Sequence, residues 1–129
     1  MNEKELIKIA SKTKYHGLGN NCEKKVSVKN RICGDEVFMG IHHNKDKVFF
    51  ETNSCILTQA SCAILADNLK TFNKQNIKSL IKDVESFFLK NTKISNELKV
   101  FKKLLIKENK NRKECIVLPL KALDKLLND

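Results

Sequence analysis

Hydrophobic residues fall at two different spacings along the chain, and the change between them comes at Cys55. Before it, Val26 and Val28 alternate with polar neighbours, Val37, Met39 and Ile41 share one face at period two, and Val48, Phe49 and Phe50 form a third short run. This pattern predicts strands over 25–29, 36–43 and 47–52. The polar stretch His43-Asn44-Lys45-Asp46 joins the last two as an antiparallel hairpin, with His42 and His43 as solvated residues at its tip. Ahead of the strands, Leu6, Ile7, Ile9 and Ala10 predict an amphipathic helix over 3–13, followed by a Gly- and Asn-rich loop over 16–21.

After Cys55 the apolar period is 3.6. Residues 56–72 are apolar on most sides, as in a helix buried on several faces. Ile77, Leu80, Ile81, Val84, Phe87 and Phe88 make a clean helical stripe, and Ile94, Leu98, Phe101, Leu104 and Leu105 make another. The charged stretch 107–113 reads as a loop. Pro119 opens a final helix through Leu127, because a first helical residue needs no N–H. A three-stranded antiparallel sheet packed against several helices is an α+β fold, and the absence of repeats or linkers predicts one domain over 1–129.

Composition narrows the classes. With 129 residues, four Gly, one Pro and five Cys, collagen-like and disulfide-knot architectures are excluded. The longest apolar run, Cys62 to Ala66, is far short of the roughly 20 residues of a membrane span. Glu3 and Glu5 interrupt any signal or transit pattern, so a cytoplasmic protein is expected. The net charge is +10, but only two of the 25 basic residues are Arg, Arg31 and Arg112. Lysines spread along the chain, one Tyr and no Trp argue against a nucleic-acid reader, and an acidic protein partner is at least as good a reading.

Cysteines of a cytoplasmic chain serve as metal ligands, reactive thiols or buried hydrophobes more often than as disulfides. Cys33-Gly34-Asp35 lies in the turn before the second predicted strand, and Cys55 follows the third. Antiparallel pairing brings these two ends together, so Cys33, Asp35 and Cys55 can meet. Cys55 also precedes a helix, whose N-terminal dipole favours a thiolate. Cys115 stands just ahead of the predicted last helix. Three thiolates and one carboxylate suit zinc or a small iron–sulfur centre. Cys62 reads as a buried hydrophobe, and Cys22, in the polar loop, as an incidental thiol or a secondary sulfur acceptor.

Three segments together resemble a known family. Asn30-Arg31-Ile32-Cys33-Gly34-Asp35 is similar to the N-P-x-C-G-D signature of NifU-like and IscU-like iron–sulfur cluster assembly proteins. The run from Cys55 to Ser61 is similar to their C-x-I-S-x-A-S segment. Arg112 to Leu123 is similar to their R-x-x-C-x-x-L-x-x-x-A-L segment. Glu114, where IscU-type proteins carry a metal-binding His, together with Arg112 and the 60-residue step from Cys55 to Cys115, resembles the SufU branch. Two departures stand out: Arg31 replaces the signature proline, and Thr52-Asn53-Ser54 replaces a Gly-x-Gly, which predicts a repositioned or looser loop before Cys55.

The resemblance implies a zinc ion on Cys33, Asp35, Cys55 and Cys115. It further implies a sulfurtransferase-like carrier role, with Cys33 as acceptor of persulfide sulfur from a SufS-type cysteine desulfurase, Arg112 supporting ligand exchange, and downstream cluster assembly proteins as recipients. The alternative within the family is a scaffold building a 2Fe–2S cluster, or holding iron, on the same four residues. A more remote alternative is a basic zinc-stabilised module that binds nucleic acid.

Overall fold

The computed structural model describes residues 3–12, 14–18, 22–32, 34–42 and 47–128. Strands β1 (Cys22–Lys29), β2 (Glu36–His42) and β3 (Val48–Asn53) form one antiparallel sheet in the order β1-β2-β3. The register pairs Val28 with Val37, Val26 with Met39, and Met39 with Phe50, so the period-two apolar residues meet on one face. The α+β expectation and the three-stranded antiparallel sheet are borne out. The hairpin tip 43–46 lies outside the described residues. His42 belongs to β2 and is not part of a loop.

Among the described residues, four α-helices and three 3₁₀ helices pack with the sheet. Helix α1 (Glu3–Ala10) packs on α2 (Ile56–Asp67), which buries eight residues on several sides, as its sequence predicts. A short 3₁₀ turn (Leu69–Thr71) then leads to α3 (Ile77–Lys90), whose stripe Ile77, Leu80, Ile81, Val84 and Phe88 is buried. Asn91 ends α3 in the left-handed conformation, at φ 56°, with its N–H donating to the Phe87 carbonyl. Helix α4 (Lys113–Asn128) lies at the centre, packed against β1, β2, α2 and α3.

The sequence-based elements need correction in four places. The stripe from Ile94 to Leu105 forms a 3₁₀ helix (Asn96–Phe101) and turns, although Leu98, Phe101, Leu104 and Leu105 are buried as expected. The polar stretch 107–113 holds a second 3₁₀ helix (Lys107–Arg112) that runs directly into α4. The last helix begins at Lys113, so Pro119 lies inside it. Pro119 therefore withholds the N–H that would bond the Cys115 carbonyl one turn earlier. Finally, Cys22 is the first residue of β1, opposite His42, and not a loop thiol. No helix among the described residues is long and apolar enough to cross a membrane.

Candidate metal centre

The register fixes where the chemistry gathers. Lys29 pairs with Glu36 and Glu36 with Asn53, so the end of β1, the start of β2 and the end of β3 lie at one edge of the sheet. The turn between β1 and β2 is tied through Asn30. Its backbone N–H donates to the Asp35 carbonyl at 2.8 Å, and its own carbonyl accepts from the Gly34 N–H at 2.8 Å. The Asn30 side chain accepts from the Ile32 N–H at 3.0 Å. Gly34 sits at φ 75°, a conformation that costs glycine little. These contacts shape the turn with Arg31 where the family signature has proline. Cys33 itself lies outside the described residues, between Ile32 and Gly34.

Across the sheet edge, the segment before Cys55 is tied by side chains. The Thr52 hydroxyl donates to the Glu36 carbonyl at 2.9 Å and contacts the Ser54 hydroxyl, while the Gln59 amide donates to the Ser54 carbonyl at 3.2 Å. Hydroxyl and amide bonds tie this stretch, which has no glycines. Cys55 is the N-cap residue of α2, where the first amides are unpaired and favour negative charge. Cys115 is the third residue of α4, inside its first turn and not ahead of the helix. The premise that proline starts the helix misplaced it.

Asp35, Cys55 and Cys115 place one ligand atom each within 4.8 Å of one another. Donors around a tetrahedral zinc stand roughly 3.8 Å apart for bonds of about 2.3 Å. Side-chain adjustments of about 1 Å would therefore close these three around an ion, and the donor set of two thiols and a carboxylate fits zinc or iron. Glu114 lies outside this set, its carboxylate 3.4 Å from the Lys121 ammonium. Cys62 is fully buried in α2, where desolvation alone pushes its thiol pKa far up, as suits a hydrophobe.

Buried polar side chains among the described residues are Asp35, Thr58 and Ser61, and all three serve this region. The Thr58 hydroxyl donates to Asp35 Oδ2 at 2.9 Å and lies 3.6 Å from Cys55 Sγ. The Cys55 N–H reaches Asp35 Oδ1 at 3.3 Å. Ser61 donates to the Ile116 carbonyl at 2.8 Å, pinning α2 to α4 beside Cys115. Thr58 and Ser61 escaped the reading by residue type. The available signal was their spacing: Thr58 is one turn after Cys55, and Ser61 one turn after Thr58.

Charge is arranged unequally across the two thiols. A hydrogen bond from Cys115 lowers the Cys55 thiol to about 5 against the opposing effect of burial, with Thr58 and Arg112 adding to the shift. The same contact and burial push Cys115 well up, so the metal-free pair keeps its proton on Cys115 and its charge on Cys55. Burial raises the Asp35 carboxyl, but hydrogen bonds from Thr58, Cys55 and Cys115 outweigh it and the net direction is downward. Arg112 closes the 3₁₀ helix before α4. Its guanidinium bonds Cys55 and also feels the charge of Cys115, which raises its own pKa. A cleft of about 300 Å³ opens over the cluster, framed by Asn30 and Ile32 on one side and by Asn111, Arg112 and Glu114 on the other. Ile32 is 92% exposed.

A sheet edge and two helix starts that gather thiols and a carboxylate under an arginine define an iron–sulfur cluster assembly fold, and solved structures agree. The chain is 27% identical to a protein from the thermophile Fervidobacterium islandicum AW-1, described as an iron–sulfur cluster assembly scaffold for the SUF system. The match covers 96% of this chain and 94% of that one, with a TM-score of 0.77. The N-terminal part of a nitrogen-fixing NifU-like protein from Brucella abortus shares the fold at 17% identity and a TM-score of 0.75, over 95% and 89% of the two chains. No family model and no curated protein matches the chain. The chain resembles the NifU/IscU-like iron–sulfur cluster assembly proteins in fold and in the placement of these residues. Within that resemblance, the SUF-system relative is the more similar of the two in sequence.

Proposed function

We propose that this protein is a zinc-bound acceptor and carrier of persulfide sulfur in iron–sulfur cluster biogenesis, working in the cytoplasm with a SufS-type cysteine desulfurase and delivering to downstream assembly proteins. The observation that carries the reading is the convergence of Asp35, Cys55 and Cys115 beneath Arg112, at the end of the turn that contains Cys33. Zinc would be held by these three residues together with Cys33, and when bound it supplies charge that keeps its thiol ligands deprotonated and protected. Ile32, the residue before Cys33 in the sequence, is exposed on the rim of the cleft.

In the transfer step the Cys33 thiolate attacks the outer sulfur of the donor persulfide. The S–S bond of the donor breaks, its cysteine leaves as a thiolate, and Cys33 carries the new persulfide. Arg112 offsets the charge on Cys55 and Cys115 while Cys33 is engaged, since its guanidinium stays ionised at any working pH. The protein is then chemically unchanged after delivery, as a sulfurtransferase is.

The test is transfer from a SufS-type desulfurase and cysteine to the purified protein, followed by mass spectrometry of the intact chain. A gain of one sulfur on Cys33 is expected, with none in Cys33→Ser, whereas Asp35→Ala mainly weakens metal retention. Full persulfide transfer to Cys33→Ser would falsify the acceptor assignment. A second reading, assembly of a 2Fe–2S cluster as cargo on Cys33, Asp35, Cys55 and Cys115, is favoured by the scaffold description of the Fervidobacterium relative. Metal analysis separates the two: a colourless protein with about one zinc per chain supports the carrier, and an oxygen-sensitive brown protein supports the scaffold.

A further inference from the structure

Thr58 is fully buried one turn into α2, and its hydroxyl touches two of the three gathered donors. An ionised carboxylate only accepts hydrogen bonds, so the single Thr58 proton goes to Asp35 Oδ2. The other oxygen, Oδ1, receives the N–H of Cys55. Both oxygens of Asp35 are thus held by the residues that open α2, before any ion is present. A carboxylate tethered in this way cannot swing aside, and it has one free direction per oxygen left for a metal.

From this double tether we infer that Thr58 is a positioning residue of the metal centre. It holds the Asp35 carboxylate in place beside Cys55, presented to an ion. Side chains that orient a metal ligand through a hydrogen bond change metal affinity by roughly tenfold to a hundredfold when removed. The inference deepens the metal-centre reading proposed above and rests on it. It does not depend on sulfur transfer.

The experiment compares Thr58→Val, which keeps the shape and loses the hydroxyl, with Thr58→Ser, which keeps the hydroxyl. Zinc affinity is measured against a chromophoric chelator, and the coordination geometry is read from the visible absorption of the cobalt-substituted protein. Circular dichroism of the metal-free chains monitors the fold. Thr58→Val is expected to bind zinc roughly tenfold to a hundredfold more weakly and to shift the cobalt spectrum, whereas Thr58→Ser retains both properties. If Thr58→Val folds poorly, Thr58→Ala supplies the same comparison. Equal zinc affinity and an unchanged cobalt spectrum without the hydroxyl overturn the role of Thr58, as does an equal loss in Thr58→Ser. Failure of the parent protein to bind zinc or cobalt overturns the metal centre itself, and the inference with it.

Discussion

Metal-free protein should react at Cys55 with a pH profile unlike that of an ordinary thiol. The perturbation is pH, and then removal of the Cys115 donor. With its thiol lowered to about 5, Cys55 is ionised throughout the neutral range. At pH 7 it carries roughly 30 times the thiolate of an ordinary cysteine near 8.5. Nucleophilicity falls with basicity, however, and a slope of 0.4–0.5 over that interval lowers the intrinsic rate by roughly 25- to 55-fold. The two effects nearly cancel, so speed at pH 7 is not diagnostic. At pH 5.5 the thiolate advantage grows to roughly 700-fold, which leaves a net rate roughly 13 to 28 times that of the ordinary thiol. The assay is reaction with 2,2′-dithiodipyridine from about pH 4 to about pH 8, resolved by residue with peptide mapping. Protonation removes the nucleophile, so the Cys55 rate should be flat above about pH 6 and fall as pH drops through the thiol's midpoint near 5. Cys115→Ala removes the largest lowering effect and should move the inflection up, while Arg112→Ala moves it less. A Cys55 rate in the parent protein that climbs tenfold per unit between about pH 6 and about pH 8 would refute the charge arrangement.

Two further outcomes concern the packing of helices and sheet. Ser61→Ala removes the 2.8 Å hydrogen bond to the buried Ile116 carbonyl, and denaturant titration should show a loss of about 1–3 kcal/mol. A methyl group on Gly40 would stand 2.7 Å from Cys22 Sγ, so Gly40→Ala should cost about 1–3 kcal/mol. Pairing it with Cys22→Ala should recover part of that loss. Strictly additive unfolding energies in this double-mutant cycle would count against the clash as the cause.

Why the donors were legible while their setting was not follows from the two kinds of element involved. In a sheet, period-two patterning and a short connection fix register, and register alone brings 35 beside 55. Asp35 and Cys55 could therefore be paired from the residues themselves. Cys115 depends on where a helix starts, and composition is a poor guide there. The polar run 107–112 looks the same to solvent as a loop or as a 3₁₀ helix, and Pro119 satisfies a starting rule that the packing of α4 overrides. Between Ile94 and Leu105 the apolar spacing spans too few turns to separate a period of three from one of 3.6. In both stretches burial was read correctly and hydrogen-bond geometry was not.

The early start of α4 has a chemical consequence. It carries Cys115 into the first helical turn and sets Arg112 immediately before that turn, so guanidinium and thiol reach the cleft from residues three apart. It also puts the missing Pro119 amide one turn after Cys115, where the carbonyl of a ligand residue lacks its usual helical partner. On the opposite side, α2 offers Cys55 at its cap and Thr58 and Ser61 on its buried face. The arrangement thus sets a rigidly bonded side, where Thr58 and the Cys55 amide hold Asp35, against a side with one helical bond fewer. The difference between the two sides follows from where two helices begin.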